Sequence, residues 1–229
     1  MMINILLVLV TVSLILLLFY YTYFFYNLSL NESQKSTYNN PISIIICAKN
    51  EEKNLRNNLP KILNQEYFNF EVIVVNDQSI DGTSFYLEEL ARSYSNLVVV
   101  TIDKHINHWP GKKFALTLAI KTAKHEHLLL TDADCLPTSK DWVKQMSRNL
   151  NNSEIVLGFG GYQKKKGLLN KIIRFDTYNV AQQYLSFALA GETYMGVGRN
   201  IAYKKSLFFN NKGFAKHLHI PSGDDDLFI

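Results

Sequence analysis

Three short acidic clusters hold the side chains best suited to chemistry. Asp77 ends the run Val72-Ile73-Val74-Val75-Asn76, Asp132 and Asp134 follow Leu128-Leu129-Leu130-Thr131, and Asp224-Asp225-Asp226 follows Ser222-Gly223. A carboxylate held at the end of a buried strand is drawn toward low dielectric, which is costly unless a cation or a donor neutralises it. Repeated acids in such places therefore point to a divalent metal or a polyhydroxyl ligand. Asp132 and Asp134 lie two residues apart, so on a chain leaving its strand both carboxylates can face one ion. An Asp-x-Asp is common by chance, and its position after Leu-Leu-Leu-Thr is what gives it weight.

The acids can meet only if the strands that carry them run parallel, because open α/β sheets bind ligands beyond the carboxyl ends of their strands. The hydrophobic pattern predicts strands at 42–47, 71–75, 97–102 and 127–130. Between them it predicts a helix to about residue 65 with a possible break at Pro60, a helix bearing Leu87, Leu90 and Ala91, and a helix over 112–124. Residues 77–83 read as a turn with an N-cap, for which Asp81 and Thr83 are well placed, and 105–111 as a loop. Strands alternating with helices signal right-handed βαβ crossovers and a parallel sheet. Beyond residue 135 the pattern loosens into a helix over 139–150, a strand near 155–159, a long helix over 168–190 and a glycine-rich stretch over 191–200.

The first 30 residues carry no charged side chain, and residues 3–26 are almost wholly apolar or aromatic. As a helix that stretch crosses a hydrocarbon layer of about 30 Å, so residues 1–26 read as one transmembrane helix and the polar residues 27–40 as a linker. A signal peptide would show a basic leader and a small-x-small cleavage site, and neither precedes Asn27. Sparse flanking charge, with Glu32 and Lys35 on the following side, leans toward a cytoplasmic domain. The two cysteines, Cys47 and Cys135, form no disulfide framework and fit a reducing compartment. Net charge is +4 with the bases scattered, so no nucleic-acid face is expected. Lys164-Lys165-Lys166 ahead of Leu168, Leu169, Ile172, Ile173 and Phe175 reads either as an interfacial helix touching anionic lipid or as a solvated loop before an ordinary helix.

In order and separation, six motifs resemble the family 2 glycosyltransferases. They are Pro41-Ile42-Ser43-Ile44-Ile45-Ile46-Cys47-Ala48-Lys49-Asn50-Glu51, Val74-Val75-Asn76-Asp77 with Asp81-Gly82-Thr83, Gly111-Lys112-Lys113 with Ala115-Leu116, Thr131-Asp132-Ala133-Asp134, Gly196-Val197-Gly198-Arg199-Asn200, and Asp224-Asp225. The resemblance covers residues 41–229 and implies a GT-A-type α/β domain with a mostly parallel, Rossmann-like sheet flanked by helices. It implies a nucleotide-binding half at 41–135, an acceptor half at 136–229, and inverting transfer from a nucleotide-sugar, with UDP favoured, to a saccharide or lipid-linked acceptor. Members often continue well beyond this point, so either the sequence is a fragment or the product is shortened.

The resemblance also implies roles. Ala48 and Glu51 contact nucleotide, Glu51 having as its alternative a favourable acid in the first helical turn. Asp77 accepts from base or ribose, or else caps a helix. Asp134 is the direct ligand of Mg²⁺ or Mn²⁺, and Asp132 lies nearer the ribose or sugar. Lys113 adds a positive group near the diphosphate, or is a solvated lysine. Asp225 is the candidate general base, because an acceptor hydroxyl is a poor nucleophile until its proton is being removed. The family usually shows Glu-Asp here, so in this triplet the role can slip to Asp224 or Asp226, and a solvated acidic turn is the alternative. A metal-dependent nucleotidyltransferase would need a basic, glycine-rich loop after the first strand, where this chain has Ala48-Lys49-Asn50-Glu51-Glu52. A membrane-anchored, non-catalytic sugar-nucleotide-binding protein is the remaining rival.

Overall fold

A computed structural model describes residues 1–30, 40–103, 111–217, 220, 223 and 225–229. Its chain order is α1 (Met2–Tyr20), a π-helical stretch (Tyr21–Phe25), α2 (Tyr26–Leu30), β1 (Ile42–Ala48), α3 (Glu52–Leu63), β2 (Phe70–Asp77), α4 (Thr83–Ser93), β3 (Leu97–Ile102), α5 (Gly111–Thr122), β4 (His127–Leu130), α6 (Trp142–Ser147), β5 (Ile155–Leu157), α7 (Leu168–Leu189), β6 (Ile201–Lys204) and α8 (Lys205–Asn210). These residues fall into two compact units. One comprises the N-terminal helix and Phe159–Met195, the other the sheet, its helices and Gly196–Phe228.

The second unit is a mixed sheet in the order β3-β2-β1-β4-β6-β5. The pairings β1–β2, β1–β4 and β2–β3 are parallel, while β6 runs antiparallel to both β4 and β5. Central strands covered on both faces should read as unbroken apolar runs, and they do: Ile42, Ile44, Ile45 and Ile46 in β1 and Val72 to Val75 in β2 are at most 1 % exposed. Burying each such side chain stabilises the fold by about 1.5–3 kcal/mol. On one side, Leu55, Leu59 and Ile62 of α3 and Leu87 of α4 close over the sheet. Register puts Ala48 opposite Asn76, so β1 and β2 end level, at the edge where the acids lie.

Several boundaries differ from the hydrophobic pattern. α3 continues through Pro60 because Leu59, Ile62 and Leu63 on either side of it pack into the core. The helix expected over 139–150 is shorter, Trp142–Ser147, and the strand near 155–159 stops at Leu157. β6 and α8 were not expected at all. Of the expected loop 105–111, only Gly111 is among the described residues, and it opens α5.

The other unit contains the apolar helix Met2–Leu30, 29 residues long, with no buried residue in its most apolar 18-residue window, and long and apolar enough to cross a membrane. Its aromatic end packs on α7: Phe24 stacks on Phe187 at 4.0 Å between ring centres and 15° between planes, and Tyr20 lies 5.8 Å from the same ring.

Candidate functional site

The loops after β1 and β2 are laced together. Asn50, with φ 58°, donates its backbone N–H to Ser79 Oγ at 2.9 Å and accepts from the Ile80 N–H through Oδ1 at 2.8 Å. Gln78 also has positive φ, 54°, and its Nε2 donates to the Asp103 carbonyl at 3.2 Å. Left-handed backbone at two non-glycine residues costs energy and persists only where surrounding bonds enforce it, as they do here. Asp81 ties the two helix starts that follow, accepting from Thr83 N–H at 3.0 Å and from Glu52 N–H at 3.2 Å, while Thr83 Oγ1 accepts from Glu51 N–H at 3.0 Å. Burial opposes ionisation of Asp81, but the hydrogen bonds from Thr83 and Glu52 outweigh it and hold the carboxyl below its ordinary value. The stabilisation from this ionised carboxylate is therefore full above the unfolded value near 3.9 and is lost as pH falls through the lower folded value. The N-cap of α4 is Gly82 rather than the expected Asp81, which lies one residue earlier. Asp81→Ala removes two hydrogen bonds to an exposed carboxylate and should lower stability by about 1 kcal/mol, read as a fall in the thermal midpoint at pH 7 that narrows below pH 4.

At the end of β2, Asp77 is buried, 6 % exposed, with the Lys49 ammonium 4.0 Å from its carboxylate. Ala48 is buried too, its methyl group inside the core. Glu51 lies half-buried at the start of α3, where Oε2 accepts from Asn54 Nδ2 at 2.6 Å.

The Asp-x-Asp turn leaves β4 and is held at three points. Thr131 N–H donates to the Ile45 carbonyl at 3.1 Å, buried Asn58 donates to the Ala133 carbonyl at 3.2 Å, and Cys135 N–H closes on the Asp132 carbonyl at 3.0 Å. Carboxylate oxygens of Asp132 and Asp134 and the Cys135 sulfur lie within 4.8 Å of one another. Two carboxylates suit a hard divalent ion such as Mg²⁺ or Mn²⁺. The thiol is a soft ligand that such a hard ion does not favour, and burial first, then the charges of Asp134 and Asp132, push it up to about 11. The Lys112 ammonium lies 3.3 Å from Asp132 and supplies positive charge at this turn.

Lys113 does not reach the cleft, contrary to the place the sequence suggested near a diphosphate. It is 1 % exposed, and Nζ donates to the His217 carbonyl at 2.8 Å and the Ile220 carbonyl at 2.9 Å, with the Phe214 ring centre 5.9 Å away. The cation at the cleft is its neighbour Lys112. Lys113→Met would remove the donor of the half-buried Ile220 carbonyl and one of the two donors of the His217 carbonyl, which keeps the Ile220 N–H, and should lower the thermal midpoint far more than Lys112→Met. Lys112→Met should instead weaken nucleotide binding, so a titration and a melt on the two variants separate the roles.

Asp225 stands across the cleft. Its Oδ2 accepts from Gly198 N–H at 2.8 Å and its Oδ1 from Asp226 N–H at 3.0 Å. A Cβ on residue 198 would sit 3.3 Å from Oδ2, so glycine permits this close approach. The segment is anchored beyond Asp225 by Phe228, whose ring lies 4.8 Å from that of Tyr203 in β6 and 5.5 Å from that of Phe208 in α8. Asn200 keeps the preceding turn in place, accepting from Trp142 Nε1 at 3.0 Å and, through its carbonyl, from Gly158 N–H at 2.9 Å. Asp224 lies outside the described residues. Cys47, Lys112, Thr131, Asp132, Gly198 and Asp225 thus line one cavity with Tyr203 and Phe228. Sequence reasoning had assigned no role to Lys112 or to the Gly198 N–H.

The glycosyl transferase family 2 model matches residues 43–209. Among curated relatives, a 4,4'-diaponeurosporenoate glycosyltransferase of Staphylococcus aureus is 30 % identical over 174 residues, 76 % of this chain and 40 % of that protein. Its Staphylococcus haemolyticus counterpart is 36 % identical over 109 residues, 48 % of this chain and 28 % of that one. The chain therefore spans well under half the length of these relatives. Among solved structures, a mannosyltransferase of Pyrobaculum calidifontis in complex with GDP-Man and Mn²⁺ superposes with TM-score 0.66 at 23 % identity, over 92 % of this chain and 56 % of that one. TarS of S. aureus gives 0.58 at 24 % identity, over 82 % and 53 %. At these identities the superpositions establish the shared GT-A-like fold, whereas the family model, extending over most of the sequence, establishes membership: this chain belongs to glycosyl transferase family 2.

Proposed function

We propose that the chain carries the catalytic cleft of an inverting glycosyltransferase moving a hexose from a nucleoside-diphosphate sugar, with UDP as the nucleotide, to a saccharide or lipid-linked acceptor. The carrying observation is the convergence of Asp132, Lys112 and Asp225 on one cavity beside the strand ends. Residues 41–135 hold the donor: Asp77 and Glu51 accept from base and ribose, and Lys112 faces the diphosphate. Residues 136–229 present the acceptor. Asp134, with Asp132 beside it, would hold Mg²⁺ or Mn²⁺, which when bound offsets charge on the departing nucleoside diphosphate. Asp225 takes the proton from the acceptor hydroxyl as its oxygen attacks the anomeric carbon opposite the leaving group. Family membership, the mannosyltransferase solved with GDP-Man and Mn²⁺, and TarS solved with UDP-GlcNAc support this reading. The acidic loop after β1 disfavours a nucleotidyltransferase. A panel of UDP- and GDP-sugars tests the proposal on the native protein, including any sequence beyond Ile229. Acceptor-dependent release of nucleoside diphosphate from one donor is expected, whereas binding without release would favour the non-catalytic alternative.

The helix Met2–Leu30 anchors this cleft to a cell membrane, with the domain in the cytoplasm where nucleotide-sugars are made. The chain should sediment with membranes, and protease added outside intact cells should leave the domain uncut. Recovery in the soluble fraction, or external digestion, would contradict the placement.

A further inference from the structure

The unit formed by the N-terminal helix and Phe159–Met195 contains a second open groove, of about 350 Å³, lined by Phe159, Tyr162, Lys171, Arg174, Phe175 and Tyr178 with Gly161. Its wall on α7 follows from helical spacing. Lys171, Arg174, Phe175 and Tyr178 recur at intervals of three and four, so two cations and two aromatic rings form one ridge. Phe159 closes the other side, its ring edge-on to Tyr178 at 6.4 Å. The only acid on α7, Asp176, does not line the groove. Lys164, Lys165 and Lys166 are exposed just before the helix and add positive charge.

A soluble anion would account for the cations but not for what adjoins them. Leu168, Leu169 and Ile172 are 73 %, 71 % and 55 % exposed, and Phe175 is 72 % exposed. An apolar patch of this kind beside a basic groove matches an amphiphile, with the anionic head between Lys171 and Arg174 and the apolar part along the leucines. Within the same unit the aromatic end of the apolar Met2–Leu30 helix stacks on Phe187, so the helix bearing the groove is packed directly on the segment that requires a bilayer. We propose that this groove binds the anionic headgroup of a bilayer lipid, with Lys171 and Arg174 holding the head. The choice of a bilayer as the source rests on reading Met2–Leu30 as a membrane helix. It is independent of the transfer reaction.

The test uses the full chain in a non-ionic detergent, titrated with phosphatidylglycerol or phosphatidylcholine and read by native mass spectrometry. Wild type should retain phosphatidylglycerol about tenfold better than phosphatidylcholine. The double variant Lys171→Gln/Arg174→Gln changes two exposed side chains, so helix content by circular dichroism should be kept, and its preference should fall to within about twofold. Equal retention of the two lipids by wild type, or an undiminished preference in the variant, overturns the proposal. A third arm adds inorganic phosphate: displacement of phosphatidylglycerol at millimolar phosphate would mean a free-phosphate site and also overturns it. Failure of the membrane reading shows separately, as soluble chain on cell fractionation, and failure of the transferase reading as absence of nucleotide release.

Discussion

Asp225→Asn should lose about 10²- to 10⁴-fold in turnover while nucleotide affinity stays within about twofold of wild type. A general base contributes in that range to rate and adds little to donor binding. The substitution keeps size and leaves one oxygen to accept from the Gly198 N–H at 2.8 Å, while the exposed Asp226 N–H, now accepted by the other carboxylate oxygen at 3.0 Å, can turn to water, so the segment should stay in place. Asp224→Asn and Asp226→Asn must be measured beside it, because three consecutive acids allow the role to move by one residue. The largest selective loss identifies the base. Near-normal transfer by all three variants would remove this triplet from the mechanism while leaving the nucleotide site standing.

Asp134→Ala should lose binding as well as turnover. The residue sits on a turn fixed by backbone bonds and by Asn58, none of which involves its carboxylate, so the fold should survive the change. What disappears is one of the two carboxylates that can hold a divalent ion, with an expected fall on the order of 10²-fold in metal-supported nucleotide affinity. Asp132→Ala should weaken binding less selectively, because it also removes the partner of the Lys112 ammonium at 3.3 Å. Unchanged nucleotide affinity in Asp134→Ala, with and without Mn²⁺, would remove the metal from the account.

What could be read from the sequence was local. β1, β2 and β4 were visible because both-face burial leaves an uninterrupted β-branched or leucine run, the half-buried edge strand β3 because its own run is β-branched, and the helices between them fixed their parallel sense. Asp132 and Asp134 were visible because they follow such a run directly. β6 was hidden: four residues behind a glycine-rich motif carry no periodicity, and the strand exists because β4 and β5 pair with it from distant sequence. Lys112 and Lys113 show the same limit inside one motif. Both precede an apolar helical face, and only the carbonyls of His217 and Ile220, more than a hundred residues away, draw Lys113 inward and leave Lys112 at the cleft. The tether from Gly198 to Asp225 is likewise long-range, although a glycine in a motif near acids gave a hint of close approach. Cys135 differs again: its neighbours were plain in the sequence, but its burial was not.

Calorimetric titration of the full wild-type chain with UDP and with GDP, each with and without Mn²⁺, tests the central claim most directly. The cleft described here predicts saturable binding of one nucleoside diphosphate, at one site, that requires the metal and is abolished by chelation. Binding of equal strength with and without Mn²⁺, or no binding of either nucleotide under both conditions by folded protein, would contradict it.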